Sequence, residues 1–81
     1  MEETVLYTLS TCPWCRKAKN YFSEHHVKFR FIDYDLADAP TQERIVQEME
    51  RHRASAFPFA LIKGDAVEGY NPGRYAILLG I

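Results

Sequence analysis

The sequence predicts an α/β fold, a four-stranded mixed sheet flanked by helices, with elements in the order βαβαββα. Three observations lead there. Short runs rich in β-branched and aromatic residues alternate with longer stretches whose apolar residues recur at helical spacing. Pro13 and Pro72 directly follow Cys12 and Asn71, residues placed to start a helix. The first two strands are separated by enough chain for a parallel crossover, whereas the last two are joined by a tight turn and run antiparallel.

The first strand is Thr4-Val5-Leu6-Tyr7-Thr8-Leu9, β-branched and aromatic in its middle. Pro13 then opens a helix, because its missing N–H has no intrahelical partner in a first turn anyway. That helix runs to about Glu24, with Cys15, Ala18 and Phe22 as its inner stripe, Tyr21 beside them, and Arg16, Lys17, Lys19 and Asn20 left to solvent. A second strand covers Lys28 to Asp33, with Val27, Phe29 and Phe31 alternating onto one face. Asp35 to Thr41 is polar, contains Pro40 and reads as a loop; a second helix starts near it. Ile45, Val46 and Met49 form that helix's apolar stripe, and Glu43, Arg44, Gln47, Glu48 and Arg51 face water. The pattern breaks from Arg51 to Ser55. Phe57-Pro58 precedes a strand from Phe59 to Lys63, Gly64-Asp65 supplies turn chemistry, and Ala66 to Glu68 returns as its partner. Asn71 caps the last helix, which carries Tyr75, Leu78 and Leu79 at i, i+3 and i+4 and stops at Gly80. In this order the elements make a minimal thioredoxin-like architecture.

Eighty-one residues form one domain, residues 1–81, with little surplus stability. A net charge of −1 leaves no basic excess for nucleic acid. No apolar run approaches the roughly 20 residues of a membrane helix, and the acidic start Met1-Glu2-Glu3 is not a secretory signal. The expectation is a cytoplasmic monomer. Two cysteines are too few for a stapled extracellular framework, and in a cytosolic chain such a pair is catalytic or metal-binding rather than structural.

The chemistry centres on Thr11-Cys12-Pro13-Trp14-Cys15. Cys12 falls at the N-cap, where free backbone N–H groups point at its sulfur and favour the thiolate, the reactive species. Cys15 lies one turn deeper, within reach of Cys12. A structural zinc site needs four protein ligands, and there is no second cysteine pair; His25, His26 and His52 read as solvated surface residues. A structural disulfide closing so short a loop restricts the unfolded chain very little. The pair therefore reads as a redox site, with no metal. A cis-Pro58 facing the cysteines would leave the main-chain N–H and C=O of Phe57 free to pair with an extended substrate, and its ring against the sulfurs would hinder metal capture. Taken alone, Pro58 merely precedes an edge strand. In Glu68-Gly69-Tyr70-Asn71-Pro72 the helix start suits either a bound carboxylate or plain capping, with Gly69 serving a turn. Trp14 reads as a partly exposed contact surface beside the sulfur, and Asp33 and Asp35 as solvated residues at a strand end.

With these residues the chain resembles the glutaredoxin family over almost its whole length: the first strand, Cys12-Pro13-Trp14-Cys15, a Val-Pro-like dipeptide at Phe57-Pro58, and a turn at Gly69 into the last helix. The resemblance implies a thioredoxin fold, Cys12 as nucleophile, Cys15 as resolving thiol and Pro58 in cis. The implied activity is a thiol–disulfide oxidoreductase that reduces protein or glutathione mixed disulfides, with no bound cofactor. Glutathione or thioredoxin reductase would be its electron donor. Members that use glutathione usually carry a lysine ahead of the first cysteine, threonine two before the proline and acidic residues after the glycine turn. Here stand Tyr7-Thr8-Leu9-Ser10-Thr11, Ala56, and Tyr70 with Asn71. Glu68 to Pro72 is more like the redoxins that serve ribonucleotide reductase and draw on thioredoxin reductase; Arg51, Arg53 or Lys63 would have to supply a cation for glutathione. The remaining alternative is a non-catalytic thioredoxin-fold module holding an iron–sulfur cluster or zinc through Cys12 and external thiols.

Overall fold

A computed structural model describes residues 3–81; Met1 and Glu2 of the acidic start lie outside the described residues. The strands are β1 (Thr4–Thr8), β2 (Phe29–Asp33), β3 (Phe59–Ile62) and β4 (Asp65–Glu68), and the helices α1 (Pro13–Glu24), α2 (Ala39–Arg51) and α3 (Pro72–Leu79). A single 3₁₀ turn, Tyr34–Leu36, separates β2 from α2. The sheet order is β2-β1-β3-β4, with β1 parallel to β2 and antiparallel to β3, and β3 antiparallel to β4. This is the four-stranded mixed sheet that the patterning predicts.

The strand period of two sorts side chains between the faces of the sheet. Leu6, Ala60, Ile62 and Val67 pack with Ala18 and Phe22 of α1 and Tyr75 of α3. On the opposite face Phe59 packs with Ile45 and Met49 of α2, joined by Tyr7, Ile32 and Leu61. With helices on both faces, β1 is buried nearly throughout, down to the complete burial of Leu6 and Thr8.

All three helices start the same way, from a side chain that accepts a first-turn amide, with proline in that turn. Cys12 accepts from Cys15, Asp38 from Thr41 and Asn71 from Arg74. Pro40 therefore belongs to α2, and the expected loop from Asp35 to Thr41 is shorter than its polarity suggested: proline fits a first turn because the N–H it lacks has no partner there. Replacing Asn71 with alanine removes the 3.1 Å bond from the Arg74 amide and is expected to cost about 1 kcal/mol by chemical denaturation.

One strand boundary and one helix stripe also differ from the sequence-based expectations. Lys63 and Gly64, at φ 51° and 86°, form the hairpin turn, which moves Asp65 into β4. Two positive φ values match the twist of a two-residue hairpin. Phe31 shares the face of Phe29, their ring centroids 6.3 Å apart, and is 48% exposed there, because β2 is the sheet edge and the α1 residue over its ring is Lys19, whose Nζ stands 4.1 Å from the ring centroid. On α2, Val46 is exposed, while Glu48 is folded in toward His52 Nε2 at 3.6 Å.

Register fixes what lies near what. Tyr7 opposes Phe59, which opposes Glu68. The end of β1, the start of β3 and the end of β4 therefore meet at one rim of the sheet, where α1 begins. The Lys63–Gly64 turn lies at the other rim.

Candidate functional site

Beyond Thr8 the chain turns so that the Cys12 amide donates to the Leu9 carbonyl at 3.2 Å, and Cys12 becomes the N-cap of α1. Its Sγ accepts from the Cys15 amide at 3.3 Å. Burial pushes the Cys12 thiol up, but hydrogen bonds from the Cys15 thiol and from the main-chain N–H groups of Cys15 and Trp14 outweigh it. The net effect holds Cys12 below the ordinary thiol value of 9.0. Amides at the mouth of a helix favour a negative sulfur.

Cys15 is the opposite case. Its side chain is fully buried, and Sγ accepts the Leu9 amide at 3.4 Å. Burial pushes its thiol up to about 12; its hydrogen bond to Cys12 and the charge on Cys12 add to the rise, while the Leu9 amide and Lys19 oppose it. Both cysteines are free thiols. One is poised to ionise and the other is kept protonated.

Beside them is a groove of about 280 Å³ lined by Trp14, Phe57, Pro58, Gly69 and Tyr70. Trp14 is 55% exposed, with its ring 6.0 Å from that of Tyr70 and Lys17 Nζ 4.4 Å from its centroid. The Phe57–Pro58 bond is cis. The Gly69 amide donates to the Pro58 carbonyl at 2.7 Å, and the Tyr75 hydroxyl donates to the Gly69 carbonyl at 2.9 Å. Gly69, at φ 82°, makes a turn that other residues rarely adopt. These contacts bring Trp14, Phe57, Pro58, Gly69 and Tyr70 together, as the sequence suggested. Of the residues expected to contact substrate, Pro13 and Asn71 do not line the groove: Pro13 opens α1, and the Asn71 side chain is committed to capping α3.

Several polar residues at the site escaped the sequence. Asp33 is not a solvated strand end; its carboxylate accepts from the Thr8 hydroxyl and from Lys19 Nζ, the latter at 3.1 Å. Asp35 accepts from the Ser10 amide at 2.8 Å and from the Ser10 hydroxyl, and so ties down the loop ahead of Cys12. These Ser10 hydrogen bonds hold the Asp35 carboxyl below its usual range. The only signal available was spacing: Lys19 stands one turn beyond Cys15 on the same helix face. Of the cations considered for a glutathione carboxylate, Lys63 sits at the far rim, and Arg51 is paired with Glu48 at 3.3 Å.

The family model described as Glutaredoxin matches residues 4–67, from β1 into β4, including both cysteines and Pro58. The chain belongs to the glutaredoxin family. A glutaredoxin-like 8.6 kDa protein encoded in the rubredoxin operon of Clostridium pasteurianum, itself uncharacterised, is 29% identical over 66 residues, spanning 82% of this chain and 83% of that one. The crystal structure of a glutaredoxin from Methanosarcina mazei Go1 superposes with a TM-score of 0.89 at 28% identity, covering 98% of this chain and 79% of the other. A solved thioredoxin-like protein, 23% identical, superposes at 0.83 over 100% of this chain and 99% of its own. The fold is thioredoxin-like, and within the glutaredoxin match Cys12 and Cys15 occupy a Cys-x-x-Cys arrangement. Among the described residues no helix is long and apolar enough to cross a membrane.

Proposed function

We propose that this glutaredoxin-family chain is a cytoplasmic dithiol oxidoreductase that reduces protein disulfides, or mixed disulfides with glutathione, through Cys12 and Cys15. The observation that carries the proposal is the contrast between the two sulfurs, one held below the ordinary thiol value and the other pushed up to about 12. The Cys12 thiolate attacks one sulfur of the substrate disulfide. That bond breaks, and the departing sulfur leaves with the electron pair and takes a proton. Cys12 is then neutral, so the charge and the hydrogen bond through which it raised Cys15 are gone. Cys15 loses its proton and attacks Cys12 Sγ, releasing the second substrate thiol and leaving a Cys12–Cys15 disulfide. The dithiol has supplied two electrons, which an external thiol system returns.

Replacing Cys15 with serine is expected to leave Cys12 in a persistent mixed disulfide with substrate, visible as an adduct by non-reducing mass spectrometry. If no adduct accumulates under turnover, Cys15 is not the resolving thiol.

A second reading concerns the donor. Lys63 lies at the far rim, which takes one of the three candidate cations from a glutathione carboxylate, and Glu48 competes for the exposed Arg51; both favour thioredoxin reductase. Supplying oxidised protein with glutathione and its reductase, or with thioredoxin reductase and NADPH, tests this. The second mixture is expected to restore two free thiols faster; faster reduction by glutathione would reverse the assignment.

A further inference from the structure

The chain from Ala54 to Pro58 links α2 to β3 and presents Phe57 to the groove. Its ends are tied by main chain: the Ala54 amide donates to the Met49 carbonyl at 2.8 Å, and the Pro58 carbonyl accepts from the Gly69 amide at 2.7 Å. Between these anchors, the amides of Ser55 and Ala56 converge on one oxygen, Glu68 Oε2, each at 2.9 Å. Both residues are exposed, so no core packing holds them. Glu68 is the last residue of β4, opposite Phe59, and directly precedes Gly69 of the groove. Hydrogen bonds to an ionised carboxylate are about twice as strong as neutral ones.

We infer that Glu68 is a positioning residue for polypeptide substrates, fixing Ser55 and Ala56 so that the main chain of Phe57 is presented in one conformation. This rests on the oxidoreductase reading and on the pairing of an extended substrate segment with the main chain of Phe57 that the sequence leads one to expect. Such pairing requires a donor and an acceptor at fixed spacing. Glu68 touches no reacting atom, so its influence falls on binding. Without the carboxylate the segment has to be ordered at each encounter, a cost borne by substrate affinity and not by the chemical step.

The test is single-turnover reduction of a synthetic peptide disulfide by the reduced protein, followed against peptide concentration. Amide hydrogen exchange is measured on the same samples. Glu68→Ala is expected to raise the half-saturating concentration about tenfold and to leave the limiting rate within about twofold. Glu68→Asp keeps the charge but draws the carboxylate back by one methylene, and is expected to raise it about fivefold. Glu68→Gln, whose amide oxygen can accept the same two bonds, is expected to stay within about threefold of the unaltered protein. The Ser55 and Ala56 amides exchange faster in the alanine and aspartate variants, while β1 keeps its protection. Faster exchange at Ser55 and Ala56 with unchanged half-saturation would overturn the inference and leave the oxidoreductase reading standing. So would a fall in limiting rate alone. An unaltered protein that reduces no peptide at any concentration overturns both.

Discussion

Replacing Cys12 with serine is expected to reduce disulfide exchange to background. A hydroxyl at the N-cap of α1 receives the same amides but does not ionise near neutral pH, so no nucleophile remains. The fold is expected to survive, since serine is among the preferred N-cap residues and stability should stay within about 1 kcal/mol of the parent. That separates chemistry from folding. Stability against pH gives a second readout. In the reduced parent the folded value for Cys12 lies below the unfolded value near 9.0. Its contribution is therefore fully present above the unfolded value and lost as pH falls through the folded one. The serine variant lacks this slope. Both proteins keep the opposite slope of Cys15, set chiefly by its burial: its contribution is present below 9.0 and lost as pH rises, toward about 12 in the parent. Assays of exchange, paired with denaturation curves from neutral to alkaline pH, check both outcomes. Turnover that persists in the variant would place the nucleophile elsewhere.

Phe22→Ala is expected to cost about 3–5 kcal/mol. Phe22 is fully buried between α1, β2 and α3. Its ring centroid stands 4.9 Å from that of Tyr75 and 5.2 Å from that of Phe29, so truncation leaves a cavity that rigid rings cannot close. Domains of this size sit toward the lower end of a range of about 5–15 kcal/mol, and the variant should be largely unfolded at modest urea concentrations. Activity is expected to fall with it, because α1 supplies the amides that hold the Cys12 thiol below its ordinary value. Urea titration with an unchanged slope and a lowered midpoint is the expected record; a loss below 1 kcal/mol would contradict the packing described.

The fold was legible where one local rule decided an element. Cys12-Pro13 and Asn71-Pro72 each announced a helix start, and Phe22 and Tyr75 stood at the core positions their helical period assigned. The groove was legible as a set, Trp14, Phe57, Pro58, Gly69 and Tyr70, because motif and turn chemistry marked each of them separately. What stayed hidden needed the register of the sheet. Asp33 meets Lys19 only because β2 lies parallel to β1 under α1, and Glu68 reaches Ser55 and Ala56 only because β4 returns past the start of β3. Phe31 keeps the face its alternation gives, but alternation does not say whether a helix or only a lysine side chain covers that face. Asp65 entered β4 because Lys63, unmarked by composition, takes a positive φ beside Gly64.

The account stands on the ionisation of Cys12, and its alkylation rate against pH measures that directly. Reduced protein is treated with a limiting thiol reagent, and the labelled cysteine is identified by peptide mapping. Modification at Cys12 alone, rising through a midpoint below the ordinary thiol value of 9.0 while Cys15 stays unlabelled, is the predicted result. A midpoint at or above 9.0, or equal labelling of both cysteines, would contradict it.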